Sequence, residues 1–123
     1  MAKQPVIVVP VKWGNVTVHE VEESILLDFM RRECEGTLDV VRCANDEVGE
    51  VSVWVNDTGL LDRLEPNPRI MALLSTMGRL GQPIVGPAVI TGPPNRETGE
   101  DMPLTDKQKD WLVEFFSFVD VVT

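Results

Sequence analysis

Between residues 51 and 92 the chain changes hydrophobic period twice, from two to about 3.6 and back, and marks each change with asparagine, proline or glycine. Val51, Val53 and Val55 alternate with Ser52 and Trp54, so the valines share one face of a strand and Ser52 and Trp54 the other. Asn56, Asp57, Thr58 and Gly59 bond back to their own backbone or tolerate positive φ. They predict a sharp turn, with Gly59 in a conformation that other residues resist. Beyond Leu60 and Leu61, Asn67 is placed to cap a helix and Pro68 to take its first position, where a missing N–H leaves nothing unpaired. Ile70, Met71, Leu73, Leu74 and Met77 carry the helical spacing, and Gly78 suits its end. Residues 83–91 return to β-branched types, but Gly86 and Pro87 interrupt them, which predicts an edge position or a bulge at Gly86.

The flanks supply the rest of a sheet. Residues 5–11 and 15–21 read as two strands joined through Trp13, Gly14 and Asn15, a hairpin that turns Val16 and Val18 to the core and Thr17 and His19 outward. Ser24 is placed to cap a helix with Ile25, Leu26, Phe29, Met30 and Cys34 on one side and Asp28, Arg31, Arg32 and Glu35 on the other. Gly36 stops that helix. Residues 37–43 form a third strand, followed by a polar link over 44–50. Residues 92–103, with three prolines and two glycines, predict an exposed, mobile loop that ends at Leu104. Thr105 and Gln108 then form a capping box, and Trp111, Leu112, Phe115, Phe116 and Val119 make an aromatic stripe suited to docking on the sheet. The expected fold is α+β, a single mixed, mostly antiparallel sheet of about five strands with three helices in the order ββαββαβα.

Three stretches of this central region resemble a known pattern: Asn56, Asp57 and Gly59 after a strand, Pro66, Asn67 and Arg69 opening a helix, and Pro83, Ile84, Val85 and Gly86 before the next strand. The pattern is that of a family of small phage-borne and bacterial proteins, domain of unknown function 3846. Upstream, Glu23, Ser24, Ile25 and Leu26, then Gly36, Thr37, Leu38, Asp39, Val40 and Val41, resemble the family's helix start, glycine stop and strand. The chain departs where Pro68 separates Asn67 from Arg69, and where Gln82 and Pro83 replace the usual acid before the last strand. What the resemblance implies is a fold shared with phage proteins rather than an activity.

At 123 residues and 43% hydrophobic content the chain suits one domain, large enough for a core without disulfides or metal. It contains no repeat and no apolar run near the ~20 residues a membrane span needs. Residues 1–5 are polar and too short for a signal peptide, so the expectation is the cytoplasm, of the host cell if the gene is phage-borne. Two cysteines, Cys34 and Cys43, read as reduced, core-filling residues rather than a disulfide or metal pair. His19 has Glu20, Glu22 and Glu23 nearby, but a solvated strand residue accounts for it better than a metal ligand.

Charge carries the functional content. The net charge is −9, with −6 in residues 22–50 and zero in residues 51–92. Such a field repels nucleic acid and membrane phosphates and steers toward a basic partner, while also serving solubility. The glycines lack the Lys-Ser/Thr pair of a phosphate loop, no Gly-x-Ser-x-Gly elbow exists, and no two acids stand out as a catalytic pair. The expectation is therefore no enzyme and no cofactor or metal. Asn56, Asp57, Asn67 and Arg69 form a candidate polar cluster, although turn and cap roles already explain them. Glu33, Glu35 and Asp39 form a candidate partner surface. The leading reading is an accessory protein that binds a host protein, with an acidic nucleic-acid mimic and a small-ligand or nucleotide binder as alternatives. The surplus apolar tail, Phe118, Val119, Val121 and Val122, would serve a homodimer through the last helix.

Overall fold

The computed structural model describes residues 3–11, 14–59, 61–79, 81 and 83–122, without the side chains of 121 and 122. The expectations at Trp13, Leu60, Val121 and Val122 therefore lie outside the described residues. Five strands, β1 (Lys3–Val9), β2 (Thr17–Glu22), β3 (Leu38–Asn45), β4 (Gly49–Asn56) and β5 (Ala88–Thr91), form one sheet in the order β2-β1-β5-β4-β3. All four pairings are antiparallel, and the helices α1 (Leu26–Glu33), α2 (Pro68–Thr76) and α3 (Asp106–Val122) complete the ββαββαβα order.

Both faces of the sheet are covered, because alternate residues of the strands supply two apolar sets. Val41 pairs with Val53, Val53 with Ile90, and Ile90 with Ile7, a row across four strands that packs under Ile70, Leu73, Leu74, Leu112 and Phe116 of α2 and α3. Val53 is fully buried, and removing such a side chain from water contributes about 1.5–3 kcal/mol. The opposite face carries Val6, Val8, Val21 and Val89 beneath Leu26, Met30 and Cys34 of α1 and the turn after it. The separation of Val51, Val53 and Val55 from Ser52 and Trp54 is as the alternation requires.

The edge strand β2 corrects one expectation. Val18 sits at the end of the Ile7 row, past the cover of α2 and α3, and is 42% exposed rather than in the core. His19 is on the other face, half-buried against Phe29 of α1 at a ring distance of 5.4 Å, and so is not turned outward to solvent.

The two ends of α1 and the turn after β4 supply further corrections. A single 3-10 turn (Glu23–Ile25) contains Ser24 and feeds directly into α1, so no side chain caps that helix, and Ile25 is half exposed. At the other end of α1 the left-handed residue is Glu35, with φ 65°, not the glycine. Glu35 N–H donates to the Arg32 carbonyl and Gly36 N–H to the Arg31 carbonyl, the Schellman arrangement, so the turn is finished one residue before Gly36. Gly59 has no positive φ; its constraint is space, since a Cβ there would meet Val85 Cγ2 at 2.6 Å.

Asn67 and Pro68 start α2 as their types require, with Asn67 Oδ1 accepting from Ile70 N–H at 3.2 Å. The capping box of α3 forms in full: Gln108 N–H donates to Thr105 Oγ1 and Thr105 N–H to Gln108 Oε1, both at 3.1 Å. β5 is the central strand and not an edge. Gly86, with φ 83°, bends the chain, and Pro87 stands just before the first ladder residue, where its missing donor costs nothing.

Candidate functional site

The polar residues singled out by sequence fall into two separate arrangements. Asn56, at the end of β4, is buried; its Nδ2 donates at 3.1 Å to the carbonyls of Cys34 and Glu35, and its Oδ1 accepts from Thr58 N–H at 2.8 Å and Thr58 Oγ1 at 3.0 Å. Its amide thus has both donors and both acceptor positions occupied. Asp57 is exposed, and its carboxylate accepts from Thr37 Oγ1. These two residues tie the stop of α1 to the end of β4.

Asn67 and Arg69 bind other parts of the chain. Asn67 is fully buried, and its Nδ2 donates to the carbonyls of Val9 at 3.1 Å and Gly86 at 3.0 Å. Arg69 donates from Nε to Asp120 Oδ1 at 2.9 Å and from Nη1 to the carbonyls of Gly14 at 2.6 Å and Pro10 at 3.3 Å. The guanidinium joins α2, α3 and the exit of β1, with its side chain only 12% exposed. Asn67 and Arg69 share no bonded partner with Asn56 and Asp57.

Asn56 and Asp57 do line a groove. It has a volume of about 380 Å³ and runs between β3, the turn after β4 and the segment before β5. Val41, Val55 and Ile84 give it an apolar floor, while the carboxylates of Asp39 and Asp57 and the side chain of Leu61 stand at its margin. Leu61 is 83% exposed, the largest exposure among the large apolar side chains of the described residues. Of the candidate partner residues, Asp39 belongs here, on the sheet face of Val41. Glu33 and Glu35 lie at the end of α1, which packs on the other face.

The outer edge of β3 is blunted beside this groove. Val40 N–H is taken by its neighbour's Asp39 Oδ1 at 2.8 Å, and the Arg42 carbonyl by Arg79 Nη2 at 2.8 Å. With these two outward groups occupied, this part of the edge is a poorer template for another strand.

One network was not visible in the sequence. Arg42 donates from Nη1 to Ser52 Oγ at 2.5 Å and to Asp101 Oδ1 at 2.6 Å, and its guanidinium lies 5.4 Å from the Trp54 ring, whose Nε1 donates to Thr91 Oγ1 at 2.9 Å. Ser52 and Trp54 on the non-valine face were its only local signal; Asp101 comes from 59 residues away. The network fastens residues 93–103 to the sheet, and these fold on themselves through the Pro94 to Asp101 bridge. Gly92 has to be glycine there, because a Cβ would meet the Met102 carbonyl at 2.2 Å.

Cys34 and Cys43 are free and buried. Burial pushes the Cys34 thiol up to about 12 and the Cys43 thiol up to about 11, because a thiolate loses its hydration there. Among the described residues no three His, Cys, Asp or Glu side chains are grouped to hold a metal ion, and no helix is long and apolar enough to cross a membrane.

No curated protein and no solved structure matches the chain. One family model does, over residues 3–117, a span that takes in all five strands, both grooved and networked ends of the sheet, and most of α3. The chain therefore belongs to the family described as Domain of unknown function (DUF3846).

Proposed function

We propose that this is a small phage-type accessory protein that acts by binding a host protein and does no chemistry of its own, and that the groove beside Asp39 and Leu61 is its contact. The observation that carries this reading is the exposed Leu61, which shares one groove with the carboxylates of Asp39 and Asp57 and the apolar side chains of Val41, Val55 and Ile84. A large apolar side chain held in water gains by being covered, and acids of one sign around it select a partner that brings lysine or arginine to the rim. The overall charge of −9 adds long-range attraction to such a surface.

The test is capture of a partner from host lysate at low and high salt, using the full chain and the variants Leu61→Ser with Asp39→Asn, and Glu33→Gln with Glu35→Gln. Asparagine retains the acceptor for Val40 N–H, and Leu61 is too exposed for its loss to unfold the chain. A salt-sensitive partner lost with the first pair and retained with the second supports the groove. Loss with the second pair alone moves the contact to the end of α1, and recovery of the same proteins by every variant sinks the proposal.

A further inference from the structure

A second pocket, of about 180 Å³, lies at the other end of the sheet between the start of β1 and residues 95–103; Lys3, Gln4, Glu23, Glu100 and Asp101 contribute to its wall. Gln4 is 7% exposed, and its Oε1 is buried without a hydrogen-bond partner, the one such side-chain atom among the described residues. A buried acceptor left unpaired is costly, and such an atom marks a place where a water, an ion or a ligand can supply the donor. Three carboxylates against one ammonium set the sign of the surroundings, although Asp101 is already paired with Arg42.

We propose that this pocket binds a small organic cation, a primary ammonium or a guanidinium, whose N–H donates to Gln4 Oε1 while Glu23 and Glu100 balance its charge. A cation of this kind supplies a donor for the buried oxygen and the one positive charge by which Glu23 and Glu100 outnumber Lys3. Volume limits it to a molecule of a few heavy atoms, well below ordinary ligand pockets of about 300–1,000 Å³. The Gln4 oxygen lies beneath the pocket's surface, so entry requires residues 93–103 to shift; the ion pairs Arg42 to Asp101 at 2.6 Å and Glu50 to Arg96 at 3.1 Å hold them in place. This site is separate from the groove at Leu61 and does not depend on it.

The experiment titrates the full chain, labelled with ¹⁵N, with butylamine, guanidinium and, as controls, butyrate and a lysine blocked at both ends. The expected result is a saturable shift of the Gln4 side-chain amide signals with the two small cations and none with butyrate. Gln4→Met, similar in volume but without the acceptor, should weaken binding at least tenfold. The double variant Glu23→Gln with Glu100→Gln, on exposed side chains, should weaken it several-fold and decides the matter if Gln4→Met fails to fold. No saturable shift with either cation, an equal response to butyrate, tighter binding of the blocked lysine, or unchanged affinity in the variants would each overturn the proposal.

Discussion

The side-chain amide of Asn67 donates to the carbonyl of Val9, 58 residues earlier in the chain, at 3.1 Å. With its second donor on Gly86 and its oxygen on Ile70 N–H, this one side chain caps α2 and fixes it to the exit of β1 and the bend before β5. Asn67→Ala should therefore cost more than the about 1 kcal/mol of a lost cap, on the order of 3 kcal/mol, because two buried carbonyls lose their donor. Asn67→Ser restores only the cap and should recover only about 1 kcal/mol of that. Urea melts of the three proteins measure the difference, and equal midpoints for wild type and Asn67→Ala would refute it.

Glu35 holds a left-handed backbone conformation, φ 65°, at the position where helices usually place glycine. Glu35→Gly should stabilise the fold by about 0.5–1 kcal/mol, since the native strain of an L residue there exceeds the extra freedom glycine gives the unfolded chain. Gly36→Ala should do the reverse, because its Cβ would meet Asn56 Nδ2 at 2.9 Å and disturb the amide that binds Cys34 and Glu35. Thermal melts with opposite shifts for the two variants are the expected outcome.

Thr105 and Gln108 differ in what they do beyond the capping box. Gln108 Nε2 also donates to the carbonyls of Val48 at 3.0 Å and Glu50 at 3.1 Å, holding the start of α3 to the β3–β4 turn. Thr105→Ala should cost about 1 kcal/mol and Gln108→Ala roughly twice that. The double variant should cost less than the two together, because the box is a shared interaction. Chemical denaturation of the four proteins gives the cycle.

Cys34 and Cys43 should react with a thiol reagent at pH 8 only as fast as the protein opens, while urea-unfolded, unreduced material should give two thiols per chain. The pH dependence has a definite sign. Their folded pKa values, about 12 and about 11, lie above the ordinary 9.0, so the unfolded state releases these protons first. Their contribution to stability is complete below about pH 9 and is lost as pH rises from there through 11 and 12. Replacing both by alanine should flatten the alkaline limb of a stability–pH curve; an unchanged limb would assign it to other groups.

Arg69 and Asp120 join the helices that cover one face of the sheet, and the Arg69 side chain is 12% exposed. Arg69→Lys should be destabilising despite keeping the charge, by about 1–2 kcal/mol. A single ammonium cannot reach the Pro10 and Gly14 carbonyls and both Asp120 oxygens from one position. Calorimetry of Arg69→Lys beside Asp120→Asn should show the arginine change to be the more costly.

The features legible from the chain alone are those that depend on neighbours a few residues apart. The valine alternation of β4, the Asn67–Pro68 start of α2, the Thr105 to Gln108 box and the element order rest on periodicity and on side chains bonding to backbone three residues away. Which polar residues share a place follows instead from how the whole chain folds. Strand order put β5 at the centre and so made the bend at Gly86 an entry to the sheet rather than a defect at its edge. It placed Asn67 against Val9, Arg69 against Asp120 and Arg42 against Asp101, and left Asn56 and Asp57 in a groove with Asp39 instead of beside Arg69. A side chain's long-range partners follow from pairing register and from which face a helix covers. Those are set by the burial of the whole apolar set at once, and no short stretch of the chain carries them.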